Sequence, residues 1–297
     1  MQKFYASLGN RNRIIILGYL FCLPAIFFFI LFKYVPIINS FWMSFYDYNP
    51  IHHSFNGLVN YERLLGDTVF WQSLLNTSLI VAGVTLFGTA IGYIFALMFR
   101  GGVAGGKFFR TIYFLPVITS VTVVSLVWKI LYNPASLGFS FNGLLSLFGI
   151  APQGFLSDPK QAIWALMLPL IWQIAGYNMI IFIAALDGVD GQMLEAAEVE
   201  GAGYWQQLWH ILIPATRYAI TIVVVLAIMR TYRVFVPAYV MTFGDPNHAT
   251  ETIATWLYKQ AFRFWEMGYG SAIAVVLFLI ILILTGFQMY LTREKDA

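Results

Sequence analysis

Apolar residues in this chain fall in long, nearly unbroken runs. They do not show the alternation of half-buried strands or the narrow stripe of a water-facing helix. A helix crosses a bilayer core in roughly 20 apolar residues, and six stretches meet that length: 14–38, 73–99, 110–132, 162–187, 216–242 and 269–292. Lipid offers no partners to an open backbone, so these stretches predict helices. The short, strictly alternating segments of a membrane barrel are not seen. Pro24, Pro116, Pro169 and Pro237 lie inside the runs and predict local kinks, which neighbouring helices tolerate. The expected fold class is therefore all-α, a polytopic membrane protein with six transmembrane helices in a single domain over 1–297. Segment 141–149 (FNGLLSLFG) predicts a further short helix at the membrane surface.

Polar positions between the runs set the expected orientation. Basic residues accumulate on the cytoplasmic side. Lys3, Arg11 and Arg13 precede the first run, Arg100, Lys107 and Arg110 flank the second loop, and Arg293 and Lys295 follow the last run. Segment 39–72 carries Arg63 against Asp47, Glu62 and Asp67. Both termini and the loops 100–110 and 188–215 are therefore expected in the cytoplasm, and 39–72, 133–161 and 243–268 outside. The first run exceeds a signal-peptide core and no small-x-small cleavage site follows it, so it is expected to be a retained span.

Composition agrees with lipid exposure: 10% of residues are charged, against about 25% in soluble domains. A net charge of +3 with no basic stripe gives no case for nucleic acid. The single cysteine, Cys22, excludes an intrachain disulfide and reads as a small apolar residue. His52, His53, His210 and His248 form no metal spacing and read as surface or interfacial residues, so no metal site is expected. Residues 101–108 (GGVAGGKF) imitate the start of a phosphate-binding loop, but Phe108 stands where the motif needs Ser or Thr. No catalytic constellation is found. Gly88, Gly92 and Ala96, four residues apart, predict close helix approach, either within the bundle or to another subunit.

Of only 14 acids in 297 residues, Glu195, Glu198 and Glu200 fall within six positions between two apolar runs. The stretch 194–214 reads LEAAEVEGAGYWQQLWHILIP. Leu194–Glu200 predicts a helix, Gly201 a left-handed stop, and Trp205, Leu208, Trp209 and Leu212 a second, amphipathic helix with these four along one side. Glu195 is expected to cap its own helix or to pair with a basic residue of a partner. A small-faced helix protruding from a membrane domain suits a groove on a soluble partner.

This pattern of E-A-A, three residues, G-A, then I-x-x-P resembles the cytoplasmic loop of permease subunits in binding-protein-dependent ABC importers. Glu195, Ala196, Ala197, Gly201, Ala202, Ile211 and Pro214 all hold their places, and Glu200 stands where that family usually has Asp. FFRTIYFLP (108–116) and IWQIAGYNMIIFIAAL (171–186) are similar to the sugar-transporting branch, as in the maltose and glycerol-3-phosphate permeases. TFGDPNHATETI (242–253) is similar to that branch's T-x-G-G-P-x-x-x-T segment, with Asp245 in place of the second Gly. Val236 stands where an Asp is common. The resemblance implies the type I importer permease fold and an ATPase-coupling role for Glu195, Ala196, Ala197, Glu200, Gly201 and Ala202. It implies a second permease, two ATPase subunits and an external solute-binding protein as partners. No cofactor is expected on this chain, since ATP and Mg belong to the ATPase subunits. The implied location is a bacterial or archaeal cytoplasmic membrane.

For the solute pathway, sugar chemistry asks for aromatic platforms and hydrogen-bonding groups. Trp172, Gln173, Tyr177 and Asn178 in the fourth run supply these, with Thr119, Ser120 and Thr122 in the third. The same groups equally suit interhelical hydrogen bonding. Arg230 and Arg233, with Tyr232 between them, lie near the middle of the fifth run, where a charge normally faces a water-filled cavity or a partner. They suggest an acidic carbohydrate, sugar phosphate or glycerol phosphate, an ion pair with the partner permease, or snorkelling. A membrane enzyme would need acids or histidines clustered at one face. A stand-alone secondary transporter would normally carry mid-span acids, and none of the 14 acids lies in mid-run.

Overall fold

A computed structural model describes residues 10–100, 105–133 and 140–292. Lys3, Arg293, Lys295 and the first four residues of the GGVAGGKF segment lie outside the described residues. So do the side chains of Arg11, Arg13 and Lys107.

The chain divides into two compact units, residues 1–66 with 259–276 and residues 67–258 with 277–297. In the first, α1 (Asn10–Phe29) runs through a π-helical turn (Ile30–Tyr34) into α2 (Val35–Met43). Residues Leu17–Met43 form one apolar helix long enough to span a membrane, none of it buried in the protein. A helix that is apolar all round and unburied belongs in lipid. Two three-residue strands follow, β1 (Tyr46–Tyr48) and β2 (His53–Phe55), an antiparallel hairpin that the apolar pattern did not announce. It leads into α3 (Val59–Gly66). Asn60 Nδ2 donates to the carbonyls of Ser44 and Tyr46, 2.9 Å each, which fixes α3 beneath the hairpin.

The second unit is built on two long helices, α4 (Thr68–Phe99) and α8 (Pro159–Asp187). Asp67 caps α4 by accepting from the N–H groups of Val69 and Phe70, and Asp158 caps α8 through Lys160 N–H. The small-residue stripe resolves as packing inside the chain. A Cβ on Gly88 would overlap the Ile174 side chain, and one on Gly92 would lie 2.7 Å from Asn178 Cβ and 3.0 Å from the Ala175 carbonyl. Absent side chains let the two backbones approach. Gly176 does the same toward the third span, where a Cβ would overlap the Tyr113 carbonyl.

The third run is not one helix. α5 (Gly106–Ile118) and α6 (Val121–Tyr132) meet at 100° across Thr119, which is extended, and Ser120. The break falls just after Pro116, not at it. Short α7 (Phe141–Leu147) and a 3₁₀ turn (Phe155–Ser157) then connect to α8. α8 passes Pro169 without interruption.

Beyond α8 come α9 (Gly191–Val199), α10 (Tyr204–Gln207), a π turn (Leu208–Leu212), α11 (Ile213–Ala215) and α12 (Arg217–Thr231). The Tyr204–Ala215 segment meets α12 at 68°. The fifth run is also interrupted: α12 ends at Thr231 and α13 (Val236–Met241) starts afresh. Pro237 in the first turn of α13 lacks the N–H that a continuous helix would direct at Arg233, so the chain breaks there. α14 (Ile253–Tyr258), a π turn (Lys259–Arg263) and α15 (Met267–Thr292) complete the order. Among the described residues, four helices are long and apolar enough to cross a membrane, or up to six spans when each bent pair is taken as one.

Candidate functional site

Two places gather the residues singled out in the sequence. The first is the segment 190–216. α9 starts at Gly191 because Asp190 accepts from Gln192 N–H at 2.9 Å. Of the two roles expected for Glu195, the helix cap is thus taken by Asp190: Glu195 lies one turn further in, and its side chain is exposed. At the other end Gly201 N–H donates to the Glu198 carbonyl (3.0 Å) and Ala202 N–H to the Ala197 carbonyl (2.8 Å). This paired pattern closes a helix through one left-handed residue, and Gly201 has φ +86°. Glu195, Ala196, Glu200 and Gly201 are exposed, while Ala197 and Ala202 are half-buried. The acids and the alanines together form one polar, low-relief knob.

The following segment holds this knob in place. Leu208 and Leu212 are buried with Phe99, Met179, Phe182 and Leu186. Trp205 and Trp209 are 69% and 62% exposed, so the four residues expected on one side divide between two. The π turn at 208–212 adds a residue to that turn, and a 3.6-residue stripe loses register across it. Thr216 marks the bend into α12. Its hydroxyl donates to the Leu212 carbonyl (2.7 Å) and lies 3.0 Å from Tyr93 Oη.

The second place is a cavity of about 480 Å³ where the two broken spans meet α8. Thr119 and Val121 line it from the α5–α6 break, Gln173 and Tyr177 from α8, and Arg230 and Arg233 from the end of α12. Gln173 Nε2 donates to the Pro116 carbonyl (3.0 Å). The Arg230 guanidinium lies 4.3 Å from the centre of the Tyr177 ring, a cation–π distance. Arg233 Nε donates to the Met229 carbonyl at 3.0 Å. The two arginines thus stand at a helix break, not within a continuous span as the sequence suggested. Val236 also lines the cavity, so that position adds no charge.

Three other residues expected with this group lie elsewhere. Trp172 packs beside Trp128, with ring centres 6.0 Å apart. Asn178 is 1% exposed, beside Gly92, and its Nδ2 has no hydrogen-bond partner among the described residues. Tyr232 is buried, its Oη 3.3 Å from Ser78 Oγ, and it lines a separate groove.

One constellation escaped the sequence reading. Glu251 is fully buried between α13 and α14. Its carboxylate accepts from Thr255 Oγ1 (2.7 Å) and lies 2.9 Å from His248 Nδ1. His248, half-exposed, is thus tied to a buried acid. Gly244, with φ +90°, presses against the carboxylate, leaving 2.5 Å between Oε2 and a Cβ placed there. Asn76 Nδ2 donates to the carbonyls of His248 and Glu251, so the loop is tied to α4. Asp245, at the family's second Gly position, is exposed and has no positive φ, which is why a side chain fits there. The sequence signal was the 242–253 segment itself, whose conformation requires glycine only at Gly244.

Residues 88–296 match the family described as binding-protein-dependent transport system inner membrane component. The chain is 35% identical over 286 residues to the probable ABC transporter permease protein YurN of Bacillus subtilis (strain 168), covering 94% of this chain and 96% of that protein. It is 31% identical to the lactose transport system permease protein LacF of Rhizobium radiobacter, with 94% of each covered. Its fold matches a crystal structure of a bacterial ABC transporter involved in the import of the acidic polysaccharide alginate. The TM-score is 0.83 at 24% identity, over 95% of this chain and 96% of that one. With its spans, its loop and these relatives together, the chain belongs to the inner membrane permease components of binding-protein-dependent transport systems.

Proposed function

We propose that this chain forms part of the membrane pathway of an ATP-driven importer of sugars or oligosaccharides, and that it takes its driving motion from a separate ATPase through α9. The observation that carries this reading is the geometry of 190–216. An exposed helix, stopped by a left-handed glycine, is anchored by buried Leu208 and Leu212. Such an element transmits force, because a push on α9 is passed to the base of α12 and to α8 instead of being absorbed by a loose loop. The lactose permease relative supports a carbohydrate cargo, as do the aromatic and amide groups of the cavity.

In this reading a second permease completes the pathway, two ATPase subunits bind ATP and Mg, and an external binding protein delivers the solute. ATP binding closes the ATPase pair, and the α9 knobs follow that closure. The pathway then turns from inward-facing to outward-facing to receive the solute. Both termini and the loops 100–110 and 188–215 face the cytoplasm.

The test is reconstitution of the chain with its second permease, ATPase and binding protein in proteoliposomes. ATP-dependent uptake of labelled lactose or maltotriose is expected, and uptake should fail when either permease is omitted. ATP-independent uptake by this chain alone, driven by a proton or sodium gradient, would overturn the reading in favour of a secondary transporter.

A further inference from the structure

The proposed carbohydrate pathway leaves one feature unexplained. Its cavity carries two cations and, among its lining residues, no acid. Arg230 lies 13 residues beyond Arg217, about 20 Å along the axis at 1.5 Å per residue, within a hydrocarbon core of about 30 Å. Neither arginine has a carboxylate within ion-pair distance among the described residues. Both side chains are exposed, and each is held by a contact of its own. Arg230 lies over Tyr177, and Arg233 is bonded to the Met229 carbonyl one turn back.

A third source of positive potential points to the same place. α6 is a 12-residue helix whose first turn begins at the α5–α6 break, with Thr119 and Val121 in the cavity wall. Ser120 precedes it without capping it by its side chain. The N-terminus of a half-helix inside a membrane attracts anions. Helix break and arginines therefore converge on one cavity from two different spans. The cavity also offers Gln173, whose amide nitrogen is held by the Pro116 carbonyl, and the Tyr177 ring. Its volume falls in the range of about 300–1,000 Å³ typical of organic ligands, far more than a bare inorganic anion fills.

We infer that this cavity takes an anionic carbohydrate, with Arg230 and Arg233 gripping a sugar-borne carboxylate or phosphate beside the start of α6. The inference rests on the carbohydrate-import reading and narrows it. Guanidinium forks match both kinds of oxyanion, so the two sources have to be separated by experiment.

The experiment uses the complete importer in proteoliposomes, given an equimolar pool of lactose, maltotriose, digalacturonate, trigalacturonate and glucose 6-phosphate. Solutes taken up with ATP are identified by mass spectrometry for wild type, Arg230→Gln, Arg233→Gln and the two Lys variants. Each variant is also checked for co-purification of the second permease. The expected result is preferential uptake of the galacturonates or of glucose 6-phosphate, whichever matches the anionic group. Uptake should fall at least about tenfold in either Gln variant, with partial recovery in the Lys variants and the second permease retained. Preferential uptake of lactose or maltotriose, unchanged by the Gln variants, would overturn the inference while leaving carbohydrate import standing. Loss of the second permease from the Gln variants would overturn it by assigning the arginines to an ion pair between subunits. No ATP-dependent uptake of any of the five would remove both the inference and the reading beneath it.

Discussion

The Tyr132 hydroxyl donates a 2.9 Å hydrogen bond to the carbonyl of Ala165, the acceptor that Pro169 leaves without its helical donor. Proline at position i cannot bond the carbonyl at i−4, and Ala165 stands four residues before Pro169 inside continuous α8. Ala165 is 4% exposed, so an unpaired carbonyl there would be buried. A phenol from the end of α6 takes the place of the missing amide and ties α6 to α8. Tyr132→Phe should cost about 1–2 kcal/mol, read as a lower melting temperature in detergent. Pro169→Ala restores the missing N–H, so the double variant should recover most of that loss. Additive losses would show that the phenol does not serve this carbonyl.

Close packing of α8 against its neighbours rests on glycine. Gly176→Val places side-chain atoms where the Tyr113 carbonyl already lies and should cost at least about 1–3 kcal/mol. Gly286 lies on α15 with open space around its missing side chain. Gly286→Ala should be neutral or slightly stabilising, by up to about 1 kcal/mol. Melting curves of the two variants side by side check the contrast.

How much of this was legible in the sequence depends on what each feature obeys. The spans were legible because lipid imposes one requirement on every residue of a crossing, and 73–99, 162–187 and 269–292 emerge as α4, α8 and α15 with ends shifted by five residues or fewer. The α9 knob was legible because Gly201 sits where only a left-handed residue closes the helix. The breaks at Thr119–Ser120 and Tyr232–Phe235 were not, because an apolar run looks the same whether its backbone bonds to itself or to a neighbour. Pro116 suggested a kink at itself, while the turn came three residues later, where Thr119 Oγ1 bonds the Leu115 carbonyl. Gln173 and Tyr177, four apart, share a helix face that Asn178 does not, but only packing decides that this face turns to the cavity while Asn178 turns to Gly92. The hairpin at 46–55 is too short for its alternation to register.

The Glu251 network should behave as a structural clasp. Its carboxylate is buried, bonded to Thr255 and His248, and covered by Gly244. Glu251→Gln keeps the shape but removes the charge-assisted bonds, and should cost about 1–3 kcal/mol. Gly244→Ala adds strain at φ +90° and crowds the carboxylate, so it should cost a similar amount. Both are read by melting temperature, and by faster proteolysis within 242–252. Unchanged values would remove the clasp.

Gly201→Ala isolates the turn after α9. No atom lies within 4 Å of the added methyl, so its effect comes only from φ +86°. It should cost about 1–2 kcal/mol locally and leave the spans intact. In the reconstituted importer, uptake should fall while the melting temperature of the permease holds. Equal loss of both would make the turn a general stability element.

Transmission of motion through α9 is tested most directly by what the chain holds on to. The measurement is affinity purification from native membranes in mild detergent, with mass spectrometry of the partners, for wild type and for Gly201→Asp combined with Glu195→Lys. Wild type is expected to bring an ATPase subunit and a second permease, and the double variant to keep the permease and lose the ATPase. An ATPase retained in full by the double variant, or absent from both samples, would show that α9 is not the docking element.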